Sequence, residues 1–167
     1  MFDRKFFRQN ALELAPELVG KLLCRKLPDG KLIKLRISET EAYCGVDDTA
    51  CHAHKGKTKR AEMLWHDGGT IYVYLCYGMH WLINIVSGEE DDPQAVLIRC
   101  CFEADGPGKL TKKLGIDGSY NGKDILSCED LWLEDDGFEV NIITDKRVGI
   151  AYADEIDRDR LWRFKHG

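Results

Sequence analysis

The stretch that decides the fold is TIYVYLCYGMHWLINIV, residues 70–86. Residues 70–76 and 81–86 are rich in β-branched and aromatic side chains, which are enriched in strands. Gly78 lies between the two halves, and glycine readily adopts the backbone conformations of a tight turn. The stretch therefore predicts two strands that fold back on each other as a hairpin.

The other predicted elements are shorter and of both kinds. Residues 28–31 (Pro-Asp-Gly-Lys) have the chemistry of a turn and predict a second hairpin, and the polar residues 47–62 predict a loop with short helical turns. Further strands are predicted at residues 21–27, 32–41, 95–102, 138–144, 148–152 and 161–164, and helices at 10–20, where Pro16 fits only a first turn, and at 106–114. The order predicts an α+β fold: a single domain, residues 1–167, with a curved, mainly antiparallel β-sheet flanked by short helices and a protruding β-hairpin.

The length and composition are those of one globular domain. A chain of 167 residues can enclose a hydrophobic core, and 44% hydrophobic with 32% charged residues is not the composition of a disordered chain. No apolar run approaches the roughly 20 residues of a membrane-spanning helix. Residues 1–5 also lack the features of a signal peptide. We therefore expect a monomeric cytoplasmic protein, nucleoid-associated if bacterial, with no membrane partner.

The seven cysteines are an odd number without a C-x-x-C pair, which favours reduced and mostly buried thiols. The residues that could be assembled into a zinc site have a spacing that matches no common ligand pattern. They are Cys44, Cys51, His52 and His54. We expect no metal and no cofactor, and a zinc-dependent hydrolase stays open as an alternative.

The net charge of −5 argues mildly against a polyanionic partner. The charges are distributed unevenly, with basic clusters at residues 54–60 and 109–113 and acidic clusters at 89–92 and 134–136. A charged run is most often a solvated face, so these clusters alone identify no partner.

The stretch SETEAY, residues 38–43, carries the groups most suited to catalysis, at the end of a predicted strand. Side chains alternate along a strand, so Glu41 shares a face with Glu39 and Tyr43, whereas Thr40 and Ala42 share the other. A carboxylate beside an aromatic ring can be a general base that directs water at an electrophilic carbon. The alternative is an ordinary exposed carboxylate at a strand end.

Arg99 follows four apolar residues of a predicted central strand, where arginine is usually paired. A carboxylate partner such as Glu41 and a strand-end position that reaches solvent are equally good interpretations. Tyr43, His52 and Tyr74 are ordinary core or rim residues if taken singly, but as a set they could hold a flat nucleobase. The hairpin tip, residues 77–80, predicts either a wedge for the minor groove of DNA or a hydrophobic patch packed on a neighbouring loop.

The motifs follow one another as ETEAY (39–43), ACH (50–52), IYVYLCYGMH (71–80), Asn84, AVLIR (95–99), GPGKL (106–110) and RVGI (147–150). In this order they resemble the alkyladenine (3-methyladenine) DNA glycosylase family. The resemblance implies a monofunctional glycosylase of base excision repair that binds double-stranded DNA and flips a damaged purine out of the duplex. Water then displaces the base. The implied substrates are 3-methyladenine and 7-methylguanine, with hypoxanthine and ethenoadenine as further lesions.

The resemblance also implies roles for individual residues. Glu41 would deprotonate the water, which Arg99 and the backbone carbonyl of Val148 would help to hold. The residues implied to bind the base are Tyr43 on one face, His52 and Tyr74 on the other, and Asn84 against the amino group of guanine. The residues implied to contact DNA are Tyr77 as the wedge, Met79 and His80 beside it, and Lys109 at a phosphate. A non-catalytic domain that binds damaged DNA or RNA on the same scaffold stays open as an alternative.

Overall fold

The computed structural model describes residues 2–167 and consists of eight strands, four α-helices and three short 3₁₀ helices. The strands are β1 Leu22–Lys26, β2 Leu32–Tyr43, β3 Ile71–Cys76, β4 His80–Ser87, β5 Gln94–Cys101, β6 Leu131–Glu134, β7 Ile142–Asp145 and β8 Arg163–His166. The α-helices are α1 Arg4–Phe7, α2 Ala11–Leu18, α3 Pro107–Leu114 and α4 Glu155–Arg158, and the 3₁₀ helices are His52–Lys55, Glu62–Trp65 and Gly118–Tyr120.

The strands form one curved sheet in the order β3-β4-β5-β2-β1-β6, with β8 beside β2 and β7 beside β8. Each of these pairings is antiparallel, so the predicted α+β fold with an antiparallel sheet is confirmed. β3 and β4 pair from Ile71↔Ile85 to Cys76↔His80, as the stretch 70–86 predicts. The turn between them begins at Tyr77, whose φ of 52° is unusual for a bulky side chain.

The longest strand, β2, connects the two halves of the sheet. Its first half pairs with β1, and its second half pairs with β5 on one side and β8 on the other. The register with β5 shifts on both sides of Glu39, and such bulges bend a strand and re-aim the side chains that follow. The bulge therefore sets the direction of the side chains of residues 40–43 independently of the first half of β2.

The two faces of β2 serve different purposes, as the alternation predicts. Thr40 and Ala42 are buried under α2, and the Thr40 hydroxyl donates a 2.7 Å hydrogen bond to the carbonyl of Ala15. Glu41 and Tyr43 point to the opposite face, where the Tyr43 hydroxyl reaches Glu41. Burial of one face in the core thus fixes the direction of both side chains on the other.

Three details of the prediction are wrong. Residues 148–152 form turns rather than a strand, because the Val148 N–H bonds to a side chain and Gly149 has a positive φ of 75°.

Pro16 lies within the second turn of α2 rather than the first. The proline ring removes the N–H that would bond to the carbonyl of Leu12, and this costs less because Leu12 is on the exposed side. The short elements α1 and β6 were not predicted.

The chain has no helix within residues 2–167 that is long and apolar enough to cross a bilayer, since the longest have eight residues. Its seven cysteines are free thiols, as predicted, and four of them are buried.

Candidate active site

A cavity of about 670 Å³ opens where the end of β2, the β3–β4 hairpin, the loop around residue 52 and the segment 148–152 meet. It brings together nine of the eleven residues that the sequence predicts for the site. They are Tyr43, His52, Tyr74, Tyr77, His80, Asn84, Arg99, Lys109 and Val148. The remaining two, Glu41 and Met79, lie beneath the cavity wall and at the hairpin tip.

The Glu41 carboxylate is completely buried, at 0% exposure, directly behind the cavity wall. Its Oε1 accepts a 2.9 Å hydrogen bond from the Tyr43 hydroxyl, and its Oε2 accepts a 2.7 Å bond from the Val148 N–H. Burial raises the pKa of Glu41, while the Val148 N–H, the Arg99 charge and the Tyr43 hydroxyl act against the rise. The alternative of an exposed strand-end carboxylate is therefore wrong.

Arg99 is the cation next to this carboxylate. Its Nε lies 3.8 Å from Oε2 of Glu41, and the side chain is 21% exposed to the cavity side. The predicted pairing is therefore confirmed, and the interpretation of Arg99 as an unpaired strand-end residue is wrong. Val148 contributes its N–H to Glu41, whereas the predicted role of its carbonyl stays a prediction.

His52 and Tyr74 form one aromatic wall of the cavity. Their ring centroids are 4.6 Å apart, and Nδ1 of His52 is 2.8 Å from the hydroxyl of Tyr72 behind them. Burial, together with the charges of Arg60 and Lys55, lowers the pKa of His52 to about 4. The imidazole is therefore neutral at physiological pH.

Asn84 sits on the floor of the cavity, opposite Tyr72 in the β3–β4 ladder. Its side chain is 4% exposed, and Nδ2 donates a 3.2 Å hydrogen bond to the carbonyl of Tyr72. This bond orients the amide that a group entering the cavity would meet.

The hairpin tip lies at the cavity mouth. Tyr77 is 89% exposed and Met79 72% exposed, so the alternative that the tip packs on a neighbouring loop is wrong. His80 lies against Gly108 near the start of α3, where a Cβ would be 3.0 Å from the His80 ring. Lys109 is exposed on the same helix and lines the cavity.

Sequence reasoning missed several residues that complete the site. Arg60 lies 5.2 Å from the ring centroid of Tyr74, and Tyr152 donates a 2.7 Å hydrogen bond to the carbonyl of Ala50 at the cavity rim. Arg147 and Asp48 form a buried ion pair behind the ring of Tyr43. Arg147 opens the RVGI motif, which signalled its importance, but nothing in the sequence signals its pairing with Asp48, 99 positions away.

The zinc alternative has no support in the geometry. Within residues 2–167, the His, Cys, Asp and Glu side chains form no group of three that could hold a metal ion. The two histidines of the suspected cluster bond elsewhere, His52 to Tyr72 and His54 to the carbonyl of Val46 at 2.7 Å.

Comparison with known proteins identifies the family. The family model of methylpurine-DNA glycosylase matches residues 5–103 and 102–166. The chain belongs to the methylpurine-DNA glycosylase family. Relatives carry the name "Putative 3-methyladenine DNA glycosylase". The one from Borreliella afzelii is 45% identical over 97% of this chain and 94% of its own. The relative from Psychrobacter cryohalolentis is 42% identical over 89% and 84%, and the one from Natranaerobius thermophilus is 40% identical over 97% and 93%.

The protein is thus a DNA glycosylase, a hydrolase of DNA repair whose substrate is DNA. The family membership confirms the resemblance and leaves the non-catalytic binding domain without support. It also overturns the inference from net charge. The acids of residues 134–136 are paired with Lys34, Lys21 and Arg36 on the β1–β6 side of the sheet. At the cavity of the glycosylase, the charged lining residues are the cations Arg60, Arg99 and Lys109.

Proposed function

We propose that the glycosylase removes alkylated purines, 3-methyladenine and 7-methylguanine among them, by flipping the nucleotide into the cavity and directing water at its anomeric carbon. The observation that carries this proposal is the Glu41 carboxylate, buried behind a ring-lined cavity and contacted by Arg99 and Val148. Hypoxanthine and ethenoadenine are proposed as further substrates.

Glu41 has the properties of the base that activates water. Each oxygen of a carboxylate has two lone pairs, and the bonds from Tyr43 and Val148 occupy one on each. One lone pair on each oxygen is therefore free to accept from a water molecule, which reaches the buried carboxylate when the side chains between it and the cavity move apart. Cleavage of the glycosidic bond develops positive charge on the sugar, as in glycoside hydrolysis, and the same carboxylate stabilises that charge.

The aromatic walls suit a damaged purine. Alkylation at N3 or N7 makes the base cationic, and a cation is attracted to the faces of Tyr43 and Tyr74. His52 adds a third ring without a repelling charge, because its pKa of about 4 keeps it neutral. A cationic base also departs without protonation, whereas hypoxanthine requires a proton donor.

Two further residues supply selectivity. Flipping costs a few kcal/mol, and less for a damaged or mispaired base, which already favours lesions over normal purines. The exposed ring of Tyr77 at the hairpin tip is suited to fill the space that the flipped base leaves. The amide of Asn84 on the cavity floor, oriented by its bond to Tyr72, is suited to exclude the exocyclic amine of normal guanine.

The test is incubation of the enzyme in excess with a methylated DNA duplex in the presence of a chelator, followed by chromatography of the free bases. The proposal expects release of alkylated purines and an abasic site in the DNA. Binding without release would establish a damage-binding protein instead. Release that stops with the chelator would establish a metal-dependent hydrolase.

A further inference from the structure

A buried ion pair lies immediately behind the proposed base. Nη1 of Arg147 is 2.7 Å from Oδ2 of Asp48, and Nη2 is 3.0 Å from Oδ1. The two side chains are 0% and 1% exposed. Replacing such a pair with apolar residues is often neutral or stabilising, because burying two charges costs about as much as their attraction returns. Stability alone therefore does not account for the pair.

Arg147 contacts the neighbours of Glu41 on both sides. Nη1 donates a 3.0 Å hydrogen bond to the carbonyl of Ala42, the residue after Glu41 in β2. The guanidinium lies 4.9 Å from the ring centroid of Tyr43, whose hydroxyl bonds to Oε1 of Glu41. The residue after Arg147 is Val148, whose N–H bonds to Oε2.

Asp48 holds the loop that follows β2. Its Oδ2 accepts from the N–H of Cys44 at 3.0 Å, and its Oδ1 accepts from the N–H of Ala50 at 3.1 Å. The loop after β2 is thereby tied to Arg147 and to the segment that follows it. Both residues that donate hydrogen bonds to Glu41 are therefore held by this pair: Tyr43 lies against the Arg147 guanidinium, and Val148 is the next residue in the chain.

We propose that Arg147 and Asp48 are a positioning pair that acts through Glu41. The pair holds the Val148 N–H and the Tyr43 hydroxyl against the carboxylate, and its two opposite charges set how readily Glu41 takes up a proton. The inference rests on the proposed role of Glu41 as the base.

The electrostatic part follows from the groups around the carboxylate. The charged or titratable groups that face Glu41 are Tyr43 on β2, Tyr74 on β3, Arg99 on β5, and Arg147 and Tyr152 in the segment after β7. On β8, Arg163 pairs with Glu39 and Asp145 instead. Burial raises the pKa of Glu41, and the charge of Arg147 is among those that act against the rise.

Removing one or the other charge of the pair is expected to shift the acid limb of the pH profile in opposite directions. Arg147→Gln leaves Asp48 as an unbalanced anion, which raises the pKa of Glu41 and moves the acid limb of the pH profile to higher pH. Asp48→Asn leaves the Arg147 cation unbalanced and moves the limb to lower pH. The double variant restores neutrality and returns the limb toward its original position. A purely structural role would lower the rate without opposite shifts.

The experiment measures the single-turnover rate of base release against pH, on a duplex with one 7-methylguanine. This base is a cationic leaving group, so the acid limb reports the general base alone. We expect shifts of roughly half a unit or more in each direction, since a charge close to a buried carboxylate moves its pKa by about that much or more. Unshifted limbs, or shifts in the same direction, would overturn the inference.

The control for distance from Glu41 is Arg36 with Asp136, a more exposed pair on the other side of the sheet. This pair is also bidentate, at 2.9 and 2.7 Å, and Arg36 also lies over an aromatic ring, 4.2 Å from that of Phe138. Arg36→Gln and Asp136→Asn are expected to leave the limb unchanged. Circular dichroism identifies folded variants, and Asp48→Asn, which keeps Arg147 and the side-chain shape, decides the question if Arg147→Gln does not fold. Absence of base release by the wild-type enzyme would refute the proposed function instead.

Discussion

The hydroxyl of Tyr43 donates a 2.9 Å hydrogen bond to Oε1 of Glu41, two residues earlier on the same face of β2. The ring proposed to stack on the base is therefore attached to the carboxylate proposed to activate the water. Burial raises the pKa of Tyr43 well above its ordinary value, so the hydroxyl stays protonated and keeps donating. If both residues have the proposed roles, this one bond couples recognition of the base to the position of the carboxylate.

Glu41→Gln is expected to abolish base release while binding to damaged DNA survives. The amide keeps the shape of the side chain but removes the base, and general-base catalysis contributes on the order of 100-fold or more. Single-turnover kinetics with a damaged duplex measure the rate, and electrophoretic mobility shift measures binding. Glu39→Gln is the control, because Glu39 is on the same strand but pairs with Arg163 at 3.2 Å. Wild-type turnover by Glu41→Gln would remove Glu41 from this role.

The same substitution is expected to stabilise the fold at neutral pH. The pKa of Glu41 is raised above 4.5 in the folded protein, so the folded state favours the protonated carboxyl. The stability that protonated Glu41 contributes is complete below its pKa in the unfolded chain, and it is lost as the pH rises through its pKa in the folded protein. The free energy of unfolding of Glu41→Gln relative to wild type should therefore increase from pH 4 upward. Urea denaturation at several pH values measures it. A difference that is independent of pH would contradict the raised pKa.

Tyr77→Ala is expected to weaken binding to a duplex that contains an abasic site, by about tenfold. Stacking of an aromatic ring on bases contributes about 1–3 kcal/mol, and 1.4 kcal/mol is a factor of ten in affinity. Fluorescence anisotropy measures the dissociation constant. Phe102→Ala is the control, since Phe102 is also exposed but lies beside Phe138 and His166, outside the cavity lining. Equal affinities of Tyr77→Ala and wild type would show that the tip is not a wedge.

Asn84→Ala is expected to release normal guanine from undamaged DNA at a detectable rate. The substitution removes the hydrogen-bonded amide from the cavity floor and leaves room for the exocyclic amine of guanine. Chromatography of bases freed from an unmodified duplex measures the effect, with adenine from the same duplex as the internal comparison. If guanine and adenine are released in the same ratio as with wild type, the selectivity lies elsewhere.

His52 is expected to titrate near pH 4, well below the 6.5 of an ordinary histidine. Burial is the main cause, and the charges of Arg60 and Lys55 add to it. Because the folded protein disfavours the protonated imidazole, the stability contributed by neutral His52 is lost as the pH falls from about 6.5 to about 4. NMR titration of the imidazole measures the value, and Arg60→Gln should raise it. A His52 that titrates near 6.5 in the folded protein would contradict the lowered pKa.

The fold was predictable where composition and alternation agree. The β3–β4 hairpin follows from β-branched and aromatic runs around Gly78, and the two faces of β2 follow from a period of two. The segment 148–152 has the composition of a strand, but the Val148 N–H bonds to Glu41 and cannot join a ladder. Contacts of that kind depend on tertiary structure, which local sequence does not encode.

The candidate site was predictable to a similar extent. The rings and the carboxylate were found because they lie in short motifs. For Arg99 the sequence left a carboxylate partner and a solvent-exposed strand end equally open, and the structure shows the carboxylate partner. The pairing of Arg147 with Asp48 was missed because neither segment of the sequence points to the other, although Arg147 itself lies in the RVGI motif. Their chemistry exists only after folding brings together two loops that are 99 positions apart in the chain.

The alternation along β2 also limits how the enzyme can change over evolution or in the laboratory. Inserting one residue between Glu39 and Thr40 would turn Glu41 toward the apolar interior under α2 and bring Thr40 to the cavity. A single substitution in this strand leaves the alternation of its two faces in place, whereas a change of its length would disturb the core face and the cavity face together. Libraries that aim at new lesion specificities should therefore vary loop lengths around the cavity and hold this strand constant.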